Sequence, residues 1–218
     1  VGNRAGAGPV RGATGREGGH PVGQRSARVF SCVFGISRAG AVWCPINPRN
    51  EADENRELLD FFDCSCLIFQ ASFAPLVERI FPLLPQVKTL VCLDQDLPTA
   101  IHFDQWVAGL PAGPWQREAV DDTAMIVGTG GTTGKPKGVM LTGRNIETMT
   151  ALTLMSYPIG DRPVYLALAP LTHAAGVLCF PILASGGQII IMRAPDLKVF
   201  LELVKKVTRS RTLSCRRH

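Results

Sequence analysis

Residues 124 to 146 read AMIVGTGGTTGKPKGVMLTGRNI, an apolar run that stops at Gly128 and opens into Gly and Thr with two lysines. Gly128, Gly130, Gly131 and Gly134 free the backbone so that its N–H groups can turn toward an anion. Thr129, Thr132 and Thr133 add hydroxyl donors, and Lys135 and Lys137 add positive charge within the same few residues. Amides, hydroxyls and ammonium groups gathered in this way suit a phosphate. Turns rich in Gly and Thr are common between strands and helices, so composition alone says little. Specificity comes from the unbroken run Thr129 to Gly138, which ends in Pro-Lys-Gly.

Two familiar phosphate loops fail here on their residues. A Walker A loop needs Gly five positions before its Gly-Lys pair, where Thr129 stands, and Ser or Thr after the Lys, where Pro136 stands. A dinucleotide fingerprint begun at Gly128 needs a third Gly at the position of Thr133. Pro136 also keeps Lys135 from opening a helix, because proline lacks an N–H and fixes its φ.

Outward from this segment the chain alternates between helical and strand patterns. On the N-terminal side, residues 29–38 read as the end of a helix, stopped by Ala39-Gly40, with a short strand at 42–45. Asn50 is placed to cap a helix from Glu51 to about Phe62 whose buried stripe is Leu58, Leu59 and Phe62. Strands at 66–69 and 89–93 flank a helix at 74–81, and 94–122 reads mostly as loop. On the C-terminal side come a helix at 145–155, a strand at 164–169, a helix at 174–184, a strand at 188–192 and a helix at 196–207. Strands alternating with helices imply an α/β fold with largely parallel sheets flanked by helices. Residues 1–28 and 208–218 have few large apolar side chains and are expected to be disordered tails around one partial domain, 29–207.

The net charge of +5 does not point to nucleic acid. Residues 1–28 carry five Arg against one Glu, and 208–218 carry four Arg and no acid, which leaves the segment between them at −3. The basic character belongs to the expected tails, so nucleic acid is not expected as a partner. Residues 163–192 contain no charged side chain, long enough to raise a membrane span, but Pro170, His173, Pro181 and Gly186-Gly187 would break it. The stretch reads instead as strand, helix, strand, and no transmembrane segment is expected. Cys32, Cys44, Cys64, Cys66, Cys92, Cys179 and Cys215 are odd in number and show no paired metal-ligand spacing. Buried reduced thiols in a cytoplasmic setting are the expectation, with no metal held by protein side chains.

Thr129 to Gly138, followed by Thr142-Gly143-Arg144-Asn145, resembles the phosphate loop of the adenylate-forming, AMP-binding superfamily. Gly130 stands where that pattern usually has Ser, and Gly143 where it usually has His. Residues 38–51, RAGAVWCPINPRNE, are similar to an element that precedes this loop in acyl-CoA synthetases, and residues 169–176, APLTHAAG, to one that follows it. The resemblance implies an incomplete N-terminal domain of that fold and ATP-dependent conversion of a carboxylic acid, most simply a fatty acid, to an acyl-adenylate and then an acyl-CoA. It implies ATP, Mg²⁺ and CoA as cofactors, with Thr129, Gly130, Gly131, Thr132, Thr133, Gly134 and Lys137 on the nucleotide phosphates and His173 beside the small-molecule carboxylate. An isolated His at a strand-to-helix turn can equally serve to satisfy that turn. The adenylation lysine of the family has no counterpart here: beyond Ile191 only Lys198, Lys205 and Lys206 occur, on an expected helix. No catalytic residue is therefore assigned, and the isolated chain is expected to be inactive. Aryl or amino-acid adenylation, or a non-catalytic remnant of the fold, are the alternatives the residues leave open.

Overall fold

The computed structural model describes residues 22–47, 50–109, 122–129, 137–169, 171–172, 174–192 and 196–215. These form an α/β structure of two compact units, one within Gly15–Met149 and one within Thr150–His218.

The core of the first unit is a parallel sheet. Strand β1 (Cys66–Phe69) pairs with β2 (Thr89–Cys92) from Cys66↔Thr89 to Phe69↔Cys92, and β2 pairs with the two-residue β3 (Ile101–His102). Parallel neighbours need a crossover, which α3 (Ala74–Ile80) supplies between β1 and β2. Val77 and Ile80 of α3 and Leu59 of α2 (Ala52–Phe61) pack with Phe69, Leu84, Val87, Leu90 and Cys92 in one buried cluster. Asp94, 4% exposed, ties the ends of the sheet: its Oδ1 accepts from the Ala71 N–H at 2.8 Å and the Cys92 thiol at 3.7 Å. A buried carboxylate held by donors in this way avoids the cost of an unsatisfied charge.

Several sequence expectations shift at their edges. The helix expected from 29 onward is α1 (Val22–Arg38), so it begins inside the segment expected to be a disordered tail. Arg28 shows what holds it there. Its guanidinium donates to both Asp104 oxygens at 2.9 and 2.7 Å and to the Leu93 carbonyl, and lies 5.5 Å from the Phe103 ring centre. Glu51 rather than Asn50 occupies the N-cap of α2, with no side-chain cap bond; the Glu51 carbonyl accepts from the Asn55 N–H at 3.0 Å. The first turn of α2 carries Asp53 and Glu54, whose charges favour a helix N-terminus. No strand runs over 42–45; only Trp43 bridges to a neighbouring strand, because Pro45 has no N–H to extend a ladder. The stretch 94–122 contains β3 and α4 (Phe103–Val107), both too short to impose a period on the sequence.

Downstream, β4 (Thr123–Thr129) and β5 (Lys137–Thr142) form an antiparallel pair. Here the otherwise parallel expectation gives way, since the two strands are joined by a short connection that cannot make a crossover. Helix α5 (Gly143–Ser156) follows at once, and the boundary between the two units falls within it.

In the second unit, β6 (Val164–Ala167) and β7 (Gln188–Ile191) are parallel, from Val164↔Gln188 to Ala167↔Ile191. The helix expected over 174–184 is two, α6 (Ala174–Val177) and α7 (Cys179–Ala184). Pro181 accounts for the break, because it has no N–H to donate to the Val177 carbonyl and its ring would clash there. Gly186 has φ +66°, and a Cβ on Gly187 would lie 2.5 Å from the Pro163 carbonyl oxygen, so the turn into β7 requires this pair. Ala167, Cys179 and Ile189 are fully buried. Among the described residues no helix is long and apolar enough to cross a membrane. The last helix, α8 (Leu197–Cys215), runs through 208–215, where a disordered tail was expected. Its sequence has no Gly or Pro from start to end, so nothing in the chain terminates it at Val207.

Candidate functional site

The 124–146 segment folds as a hairpin whose ladder closes at Gly128↔Gly138 and Thr129↔Lys137. Thr129 and Lys137 therefore face each other across the two ends of the connecting segment 130–136, and both are exposed. Gly130, Gly131, Thr132, Thr133 and Gly134 lie outside the described residues, as does His173. Of the sequence-predicted site residues the structure places Thr129 and Lys137, and it brings these two together.

Two features of the chain outside the loop hold the hairpin. Trp43 lies along the free edge of β4: its N–H donates to the Ala124 carbonyl at 3.0 Å, and its carbonyl accepts from the Ile126 N–H at 2.9 Å. The 38–51 element and the loop-bearing strand are thus backbone neighbours. Helix α2 and the turn after it supply the floor. A Cβ on Gly138 would sit 2.6 Å from Phe62 Cε1 and 2.7 Å from Ile126 Cγ2, and one on Gly128 would sit 3.1 Å from Leu58 Cδ2. The glycines that frame the loop are there because side chains occupy the space a Cβ would need. Sequence reading found the stripe Leu58, Leu59 and Phe62 but not its contact with Gly128 and Gly138 of the hairpin strands; the facing glycines were the available signal.

The Thr142-Gly143-Arg144-Asn145 element has a structural role in full view. Asn145 Oδ1 accepts from the Thr142 N–H and hydroxyl, each at 2.9 Å, while Thr142 Oγ1 accepts from the Asn145 N–H at 3.2 Å. This is a reciprocal capping box that starts α5 directly at the end of β5. It fixes the strand-to-helix corner without a side chain at position 143. In the second unit, Thr172 Oγ1 is buried with no hydrogen-bond partner among the described residues.

The described part of the segment is an exposed Thr129 paired with an exposed Lys137 at the end of a sterically fixed hairpin. Among the described residues no group of three or more His, Cys, Asp or Glu side chains is placed to hold a metal ion. The described cysteines are free thiols, but not all of them are buried as expected. Cys92 and Cys179 are buried, the latter pushed up to about 12 by burial, but Cys32, Cys44 and Cys64 are half-buried and Cys66 is exposed.

A sequence model of the AMP-binding enzyme family matches residues 22–210. The crotonobetaine/carnitine–CoA ligase of Salmonella typhi is 28% identical over 183 residues, covering 80% of this chain and 35% of the relative. The amide bond synthetase McbA of Marinactinospora thermotolerans superposes with a TM-score of 0.74 at 20% identity, over 94% of this chain and 39% of that one. The N-terminal domain of FACL13 from Mycobacterium tuberculosis gives 0.65 at 26% identity, over 80% of this chain and 44% of that one. The chain thus spans 35% of the length of the curated relative it matches. With the family model extending over most of the chain and the loop-bearing hairpin set against the 38–51 element, this chain belongs to the AMP-binding enzyme family.

Proposed function

We propose that this chain carries the nucleotide-phosphate part of an acid–thiol ligase that activates a carboxylic acid, most simply a fatty acid, with ATP and passes it to CoA. The carrying observation is the Thr129↔Lys137 register, which sets a hydroxyl and an ammonium at the two ends of the Gly/Thr segment. A carboxylate is a poor electrophile. Activation lets its oxygen attack the α-phosphate of ATP, forming the acyl–adenylate bond and releasing pyrophosphate; the CoA sulfur then displaces AMP. Positioning and charge neutralisation carry most of such chemistry.

In this reading Thr129, Gly130, Gly131, Thr132, Thr133 and Gly134 hold the β- and γ-phosphates through amides and hydroxyls, and Lys137 adds charge as pyrophosphate departs. His173 would lie beside the carboxylate. Mg²⁺, where bound, would neutralise phosphate charge alongside Lys137. The name of the Salmonella typhi relative supports CoA as acceptor. The acid itself rests on resemblance in the 38–51 and 169–176 elements. A cytoplasmic setting accords with the free thiols of the described residues.

Because the chain spans 35% of that relative, we take it to bind nucleotide without turning over at ordinary enzyme rates. Lys198, Lys205 and Lys206 are exposed on α8, away from the Gly/Thr segment in sequence. Equilibrium titration with ATP and with pyrophosphate tests the phosphate site. Both should compete for one site, and Lys137→Ala should weaken each about tenfold, the loss of one charge-assisted contact. Absence of competition, or unchanged affinity in the variant, would remove the reading. Pyrophosphate release with fatty acid, ATP and CoA should stay at background, and sustained turnover would overturn the inactivity.

A further inference from the structure

Helix α8 leaves an apolar stripe open to water. Asp196 fixes its start: the carboxylate Oδ1 accepts from the Lys198 and Val199 N–H groups at 2.8 and 3.1 Å, and the Asp196 carbonyl accepts from the Phe200 N–H at 2.9 Å. Helical spacing then sorts the side chains into three stripes. Phe200, Leu203 and Val207, at i, i+3 and i+7, are half-buried. Leu197, Leu201 and Val204, at i, i+4 and i+7, run beside them and are 73%, 49% and 38% exposed. Lys198 and Lys205 stand three residues before and four after Leu201, so they line the far flank of the exposed stripe, and both are exposed themselves. No residue from 197 to 207 is buried. The charge of the helix is one-sided as well. Its sequence carries Lys198, Lys205, Lys206, Arg209 and Arg211 against Glu202 alone, and no acid follows Glu202 in the chain.

We propose that α8 lies on an anionic lipid surface, with Leu197, Leu201 and Val204 entering the headgroup–acyl boundary and Lys198 and Lys205 reaching back to the lipid phosphates. The inference stands on α8 alone and does not depend on the nucleotide reading. Entry of the stripe takes its exposed aliphatic surface out of water, which is favourable in proportion to the area removed. The lysine stems can lie along that apolar surface while their ammonium groups stay in the polar layer. Neither part suffices by itself. Three aliphatic side chains are a small payload for a neutral bilayer, and lysine charge alone is screened beyond a Debye length of about 8 Å at physiological salt. Together they make binding depend on the negative surface charge of the lipid. The mode is adsorption, since no helix among the described residues is long and apolar enough to cross a membrane. A flat surface also suits this helix better than the groove of an acidic protein. Phe200, Leu203 and Val207 are already half-buried, so one side is open, whereas a groove closes around a wider apolar face. Nucleic acid would use the charge but leave the Leu197–Leu201–Val204 stripe in water.

The test floats the full chain with vesicles of phosphatidylcholine alone and of phosphatidylcholine with about 30% phosphatidylglycerol. Binding is expected to the anionic vesicles only, and it should fall as salt is raised. Leu201→Asp sets a charge in the stripe and should weaken binding at least about tenfold. Lys198→Gln and Lys205→Gln together should weaken it about twentyfold. All three positions are exposed, so circular dichroism of the variants should match that of the wild type. Hydrogen exchange on the wild-type chain gives a readout that needs no variant: amides of 197–207 should slow when anionic vesicles are added. Equal binding to neutral vesicles would overturn the proposal. So would anionic binding that Leu201→Asp leaves unchanged, with the slowed amides in residues 1–21 instead, because the basic N-terminal segment would then be the contact. Calcium-loaded calmodulin serves as the probe for an acidic groove. Binding to it that requires Leu201, with none to vesicles, would assign the stripe to a protein partner and end the lipid reading.

Discussion

Strands β2 and β5 are both short, yet one is sealed and the other open. Leu90, Val91 and Cys92 of β2 are buried, with parallel neighbours on both edges, whereas Lys137, Gly138, Val139 and Met140 of β5 are all exposed. The contrast separates two jobs within one unit. The β1–β2–β3 sheet gains its stability from burial, and the β4–β5 pair is held by its ladder, by Trp43 and by the glycine contacts while it presents a loop. Apolar residues on β5 can therefore change with little loss, and residues that merely fill space under it cannot.

The largest effect should come from the sealed strand. Leu90→Ala removes a side chain that is 6% exposed and should cost about 3 kcal/mol in urea unfolding. Met140→Ala, at 64% exposure, should stay within about 0.5 kcal/mol. Equal losses in the two variants would erase the distinction. A middle-sized effect is expected where the hairpin meets its floor. Gly138→Ala drives a methyl into Phe62 and Ile126 and should cost about 2 kcal/mol. Adding Phe62→Ala should recover part of that loss, and strict additivity of the two changes would show that they do not touch. The smallest effect lies at the corner. Thr142→Ala removes the hydroxyl that accepts from the Asn145 N–H and donates to Asn145 Oδ1, while the residue-142 N–H keeps its acceptor, and should cost about 1 kcal/mol with a loss of helical circular dichroism. Asn145→Ala added to it should cost a further few tenths of a kcal/mol to about 1 kcal/mol, since it removes the acceptor that the residue-142 N–H still holds.

The same contrast explains what could be read from residues alone. Strands β1, β2, β6 and β7 announced themselves as short apolar runs, and their parallel pairing followed from the helices between them. The Gly/Thr run of 128–138 was legible because its chemistry is local. Strand β5 was not: Lys-Gly-Val-Met-Leu-Thr has neither the alternation of a half-buried strand nor a buried run, and its partner, not its composition, makes it a strand. The ends of α1 and α8 were missed for a different reason. Arginine-rich composition suggested disorder, but helix formation continues wherever no breaker intervenes, and Arg28 found its partners in residues 93 to 104.

Arg28 also bears on where the protein can be cut for expression. Its side chain is 14% exposed, its charge is met by Asp104, and its flat guanidinium covers Phe103. A recombinant product trimmed to start at Val29, as hydropathy alone would advise, would leave an acid without its counterion and an aromatic ring uncovered on the same short helix. Starting at or before Val22 keeps that patch shielded, and the difference should be visible first in solubility rather than in the fold.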